Sequence, residues 1–176
     1  CRLLRTKLLV IETPADALFG QEEVRWAKAF FASVNLKRLR LVWEIRSAVN
    51  RSLEPSLARL MEDLGIVHCV DISREAPQTR SEMLYSRLFG RGQHNVYQFD
   101  DDELKAVDKK AVSGEFKQSI LAFHSVKMYA DAARLKAFRE TGRFPEVTRS
   151  TGAESLLEVL KEDATFPATR DRLLQS

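Results

Sequence analysis

Leu39-Arg40-Leu41-Val42-Trp43-Glu44-Ile45-Arg46 is an apolar run with charges set into its later half. Its centre, Leu41 to Ile45, reads as a buried strand. Side chains alternate along a strand, so Glu44 and Arg46 share one face while Trp43 and Ile45 take the other. Charges on a buried strand are costly, and they mark either function or structural specificity. What flanks this strand decides which fold holds it.

Upstream, residues 21–34 change period. Val24, Ala27, Phe31 and Val34 fall on one helical face, with Phe30 beside them, and Glu22 and Glu23 sit where a helix dipole favours negative charge. Asn35 is the expected stop. Before that helix, Leu8-Leu9-Val10-Ile11 is a short apolar strand halted by Glu12-Thr13-Pro14. Downstream, residues 53–64 predict a helix with Leu57, Leu60, Met61 and Leu64 on one stripe, Pro55 in its first turn and Gly65 just past its end. Ile66 to Ile72 is a third strand and Leu84 to Phe89 a fourth. The link between them, Ser73 to Glu82, has ten residues and no helical stripe. A parallel crossover usually needs about a dozen or more residues, commonly a helix, so strict strand–helix alternation is expected to fail here.

Further along, Asp100 to Asp102 cap a helix over about 101–112 that carries Leu104, Val107 and Ala111. Ser119 to His124 is a fifth strand. A helix over 126–141 is expected to turn Met128, Ala132, Leu135 and Phe138 inward, and Gly142 and Pro145 end it. A last helix over about 152–162 buries Leu156, Val159 and Leu160. Five short strands separated by helices give an α/β fold with a mainly parallel sheet, either doubly wound or part of a barrel.

Composition bounds the function. The chain has 176 residues, 44% of them hydrophobic and 30% charged, which suits one folded domain. No run of 18 apolar residues is present, so no membrane partner is expected. Cys1 and Cys69 are too few for a disulfide framework or a thiolate metal site, and a buried reduced Cys69 fits a cytoplasmic location. A net charge of +3 comes from 28 basic residues interspersed with 25 acidic ones, weak support for nucleic acid. Asp100-Asp101-Asp102-Glu103 lacks the spacing of a cation loop, and Gly90-Arg91-Gly92 lacks that of a P-loop, so no metal is assigned and any cofactor is left unknown.

Six segments, taken in order, resemble the YecE-like family (domain of unknown function 72). They are Leu8-to-Pro14, Val42-to-Arg46, Val67-to-Pro77, Met83-to-Gly90, Val96-to-Leu104 and Ala122-to-Leu135. The resemblance implies a TIM-like barrel of seven strands with a mixed sheet, of which this chain would hold the later strands. It also implies that the missing N-terminal part of the same domain is a partner of this chain, in keeping with a first residue that is not Met. Residues 1–145 would be the barrel portion and 146–176 a helical C-terminal extension. Where many members carry Phe-Asn-Asn, this chain has Phe123-His124-Ser125, so those amides do not transfer. The family carries no assigned activity.

In β/α barrels functional groups gather where strands end. That rule selects Glu44, Asp71 and His124 as candidate catalytic groups, with Arg46, Arg74, Arg87 and Tyr85 as candidate substrate-binding groups. Two carboxylates on neighbouring strands can divide acid and base roles, and an imidazole titrates near neutrality. A guanidinium fork matches a carboxylate or phosphate. Each also has a structural alternative: Glu44 with Arg46 or Arg87 as a buried ion-pair layer, Asp71 as a turn cap paired with Arg74, His124 as a packing residue. His68 is expected in the core and His94 in solvent. The expected activity is an enzyme on an anionic, phosphorylated or phosphodiester substrate. The competing expectations are a nucleic-acid module using Arg91, His94 and Tyr97, and a scaffold without catalysis.

Overall fold

A computed structural model of the chain describes residues 6–34, 39–48, 51–91 and 97–145. The elements run β1 (Leu8–Thr13), α1 (Gln21–Ser33), β2 (Arg40–Ile45), a 3-10 turn (Arg46–Ala48), α2 (Pro55–Asp63), β3 (Val67–Cys69), β4 (Met83–Leu88), α3 (Asp101–Ala111), β5 (Gln118–Phe123) and α4 (Met128–Thr141). The expected helix over 152–162, His94 and the extension over 146–176 lie outside the described residues. Contacts divide the chain into two units, Cys1–Leu88 with Asp102–Ala122, and Phe89–Asp101 with Phe123–Ser176. None of the described helices is long and apolar enough to cross a membrane.

In the first unit, β1, β2 and β3 form a parallel sheet in that order. Helix α1 connects the first pair and α2 the second, as parallel neighbours require. Both helices start where the sequence tells them to. Glu23 reaches back to accept the Gly20 N–H at 2.9 Å, and Glu54 accepts the Leu57 N–H at 3.0 Å beside Pro55. Their apolar stripes meet one face of the sheet. Val24, Phe31, Leu57, Leu60 and Met61 bury with Leu41, Trp43 and Ile45, and Trp43 meets Phe19 and Phe31 edge-on. Phe30, in contrast, is left exposed.

The link after β3 corrects one expectation. It holds no helix, as its sequence indicated, yet β3 continues into a parallel bridge between Val70 and Ser86. The mixed sheet expected at this point is therefore not formed there. The strand stops at Cys69 and not at Ile72, so the connection has about a dozen residues, enough for a parallel crossover. Hydrogen bonds replace the helix. Gln78 donates its N–H to His68 Nδ1 at 3.1 Å, accepts from the Leu53 N–H and donates to the Arg51 carbonyl, while Arg80 donates its N–H to Glu62. The buried Ser86 hydroxyl accepts the Ile72 N–H at 3.1 Å. Strands β4 and β5 form a second, two-stranded sheet.

The second unit is organised around the backbone of Phe99. Its N–H donates to Asp131 Oδ2 at 3.1 Å and its carbonyl accepts from Arg134 Nη1 at 2.6 Å. Arg134 also pairs with Asp131 at 2.9 Å and Asp101 at 2.5 Å. This clamp revises the inward face expected for α4. Leu135 is buried, but Asp131 and Arg134 take the centre of the stripe and Ala132 is exposed. A buried peptide group without a strand neighbour must be met by side chains, and the helix supplies them. Gly90 takes a positive φ of 72° against the Tyr97 ring, which a Cβ would strike at 1.9 Å from Cδ1. The glycine therefore answers to backbone packing.

Candidate functional site

The face of the first unit opposite α1 and α2 is lined by alternate strand residues. Val42, Val67, Cys69 and Met83 are buried there with Leu8, Val10, Tyr85 and Ile120 packed against them. Strand parity carries that face toward the strand C-termini: Val10 leads to Glu12, Val42 to Glu44, and Tyr85 to Arg87. The parallel register sets Glu12 beside Glu44, and Glu44 beside Cys69. Two carboxylates thus arrive on neighbouring strands by pleat and register alone.

Arg87 ties them together. Its Nη1 donates to Glu12 Oε2 at 2.6 Å and also to Glu44 Oε2. Arg46, at the end of β2, pairs with Glu12 at 3.0 Å and stands 3.7 Å from Glu44. The four charges form a graded cluster. The Glu44 and Arg87 side chains keep 8% and 18% of their exposure, whereas Arg46 keeps 45%. Burial disfavours the charged Arg87, but its hydrogen bonds and attraction to Glu12 and Glu44 outweigh that and raise its pKa.

Below this layer the face becomes protonated and apolar. Burial, followed by the Glu44 charge, pushes the Cys69 thiol up to about 12, which keeps it neutral and poorly nucleophilic. Burial also raises the Tyr85 phenol, so it remains a hydrogen-bond donor. The arrangement can orient an anionic group against the guanidiniums and can offer a carboxylate as a proton acceptor.

Of the residues selected from sequence, Glu44, Arg46 and Arg87 come together, and Tyr85 lies on the same face. Asp71 takes the turn geometry instead. It accepts from the Ser73 N–H at 2.9 Å and hydroxyl at 2.6 Å, and Arg74 Nε stands 3.7 Å away. His124 belongs to the second unit, where it is exposed and meets the Phe89 ring at 4.9 Å. His68 is a core residue on the helix-covered face, and burial lowers its pKa to about 4. Glu12 was missed because it reads as the residue that stops the first strand. Its parity with Leu8 and Val10 was the signal that could have found it. Among the described residues no group of three or more His, Cys, Asp or Glu side chains is placed to hold a metal ion.

Two crystal structures of a DUF72 family protein from Enterococcus faecalis V583 superpose on the chain. One gives a TM-score of 0.57 at 14% identity over 76% of this chain and 61% of that one. The chain shares the DUF72 fold. The second gives 0.54 at 13% identity over 82% and 62% of the respective chains. The resemblance read from the six segments is thus met by solved structures of that family, whose length this chain spans by about three fifths. No family model matches the sequence, and no curated protein matches it.

Proposed function

We propose that the chain is the later part of a TIM-like barrel and that the Glu12–Glu44–Arg46–Arg87 cluster binds an anionic group, a phosphate monoester or diester, for enzymatic turnover in the cytoplasm. One observation carries the reading. Four charged side chains converge at the C-terminal strand ends, on the face that neither α1 nor α2 covers, and each is engaged by other side chains. In this reading Arg46 is the entrance donor, since it is the most exposed of the four. Arg87 turns part of its guanidinium from the carboxylates to the anion, and Glu44 takes the proton of a water that attacks phosphorus as the ester oxygen leaves. A buried free thiol at Cys69 fits a reducing compartment.

Calorimetric titration of the chain with p-nitrophenyl phosphate, followed by release of p-nitrophenol, tests the reading. Arg87→Ala is expected to weaken binding by at least about tenfold, the worth of one charge-assisted contact. Glu44→Gln is expected to keep binding and lose turnover, with an unchanged circular dichroism spectrum. Unfolding of both variants, with no binding by the parent chain, would make the cluster a structural ion-pair layer.

A further inference from the structure

The loops after β1 and β2 enclose a cavity of about 170 Å³ at the C-terminal end of their sheet. That end also carries the Glu12–Glu44–Arg46–Arg87 cluster, and it is the end where barrels bind their ligands. The cavity wall is mainly apolar. Leu18 and Phe19 come from the first loop, Leu53 from the second and Ile45 from the end of β2, with Ser47 and Ser52 as small polar members. Leu18 is 72% exposed, which leaves its side chain open to an incoming group. An apolar cavity of about 150 Å³ holds one benzene ring, so this one has the size of a single six-membered aromatic ring.

The cavity adjoins the charge cluster along the chain. Ile45 and Arg46 are consecutive, and strand parity gives Ile45 to the helix-covered face and Arg46 to the cluster face. The strand ends between them, where the sheet no longer separates its two sides. Arg46 is the most exposed of the four charges and begins the 3-10 turn that carries Ser47 into the cavity wall. We propose that this cavity takes the alcohol part of the substrate, a single aromatic ring, while the cluster holds its phosphate. The substrate class is then a phosphate ester carrying one aromatic ring. The inference rests on the anion reading and adds to it the group that decides which ester is bound. A ring seated there meets Phe19, whose own ring stands edge-on to Trp43 at 5.4 Å, so Trp43 reports its arrival.

Calorimetric titration of the 176-residue chain with p-nitrophenyl phosphate and with methyl phosphate separates ring from anion, since both esters carry the same phosphate. The ring is expected to tighten binding at least about tenfold, the worth of taking one aromatic ring out of water. Ser52→Phe fills the cavity and Leu18→Ser strips an apolar wall, each at an exposed position. Both should remove most of the advantage of the aromatic ester and leave methyl phosphate affinity unchanged. With Trp26→Phe, Trp43 is the sole tryptophan, and p-nitrophenyl phosphate should quench its fluorescence where methyl phosphate does not. Equal affinities for the two esters in the parent chain overturn this inference and leave the anion reading standing. An advantage kept in full by both variants also overturns it, because the ring then binds elsewhere. Binding of neither ester removes the anion reading and this inference with it.

Discussion

Two ion-pair clusters with buried members stand among the described residues, and they use their charges differently. In the second unit, Asp131 and Arg134 direct hydrogen bonds to the N–H and carbonyl of Phe99. In the first, Arg87 and Arg46 engage the carboxylates of Glu12 and Glu44. The Asp131–Arg134 arrangement satisfies a peptide group that folding has taken out of water, so its reason is structural. The Glu12–Glu44–Arg46–Arg87 arrangement binds side chain to side chain at the ends of strands. Buried charge alone does not mark a functional site; in the proposed reading the two clusters are separated by what their charges are hydrogen-bonded to.

The comparison breaks most easily at Asp131. Asp131→Ala takes from the buried Arg134 its fully buried partner, leaving it the half-exposed Asp101, and leaves the Phe99 N–H unmet; it should cost about 3–5 kcal/mol in urea unfolding. A cost under about 1 kcal/mol would mean the clamp is not structural. Next in size is an acid effect on the helix-covered face of the first sheet. His68 has its pKa lowered from 6.5 to about 4 by burial, so the unfolded chain takes up its proton first as pH falls. Stability should be full above about 6.5 and should decline through the interval down to about 4, by about 3 kcal/mol in all. His68→Gln should flatten that decline in pH-dependent unfolding curves.

Glu44→Gln should cost less, about 1–3 kcal/mol, because Arg87 keeps Glu12 as its partner. A loss as large as that of Asp131→Ala would erase the distinction between the clusters. Smallest is Arg46→Ala. This half-exposed pair with Glu12 should change stability by less than about 1 kcal/mol while lowering p-nitrophenyl phosphate affinity several-fold.

These contrasts also show what could be read from residues alone. Strands β1 and β2 and helices α1, α2 and α3 follow from apolar period and capping, because each element's own side chains decide it. Leu104, Val107 and Ala111 are buried as their spacing required. The fold family was legible as an ordered set of segments, and the superposed structures agree with it. The inward face of α4 was misread because the Phe99 backbone, some thirty residues away, determines which stripe turns in. The parallel bridge after β3 brings Val70 to Ser86, whose hydroxyl meets the Ile72 N–H, a pairing between segments that neither segment's own pattern determines. Glu12 joins the cluster through register with Glu44, which is set by strand pairing and not by local pattern.

The central claim is that the Glu12–Glu44–Arg46–Arg87 cluster accepts an anion from outside. Ligand-linked stability tests it most directly, because anything that binds the folded chain alone raises its unfolding midpoint. Urea unfolding of the parent chain and of Arg87→Ala should be compared with and without saturating p-nitrophenyl phosphate. The account predicts a higher midpoint for the parent chain on adding the ligand and a clearly smaller rise for Arg87→Ala. No shift in the parent chain, or the same shift in both, would contradict it.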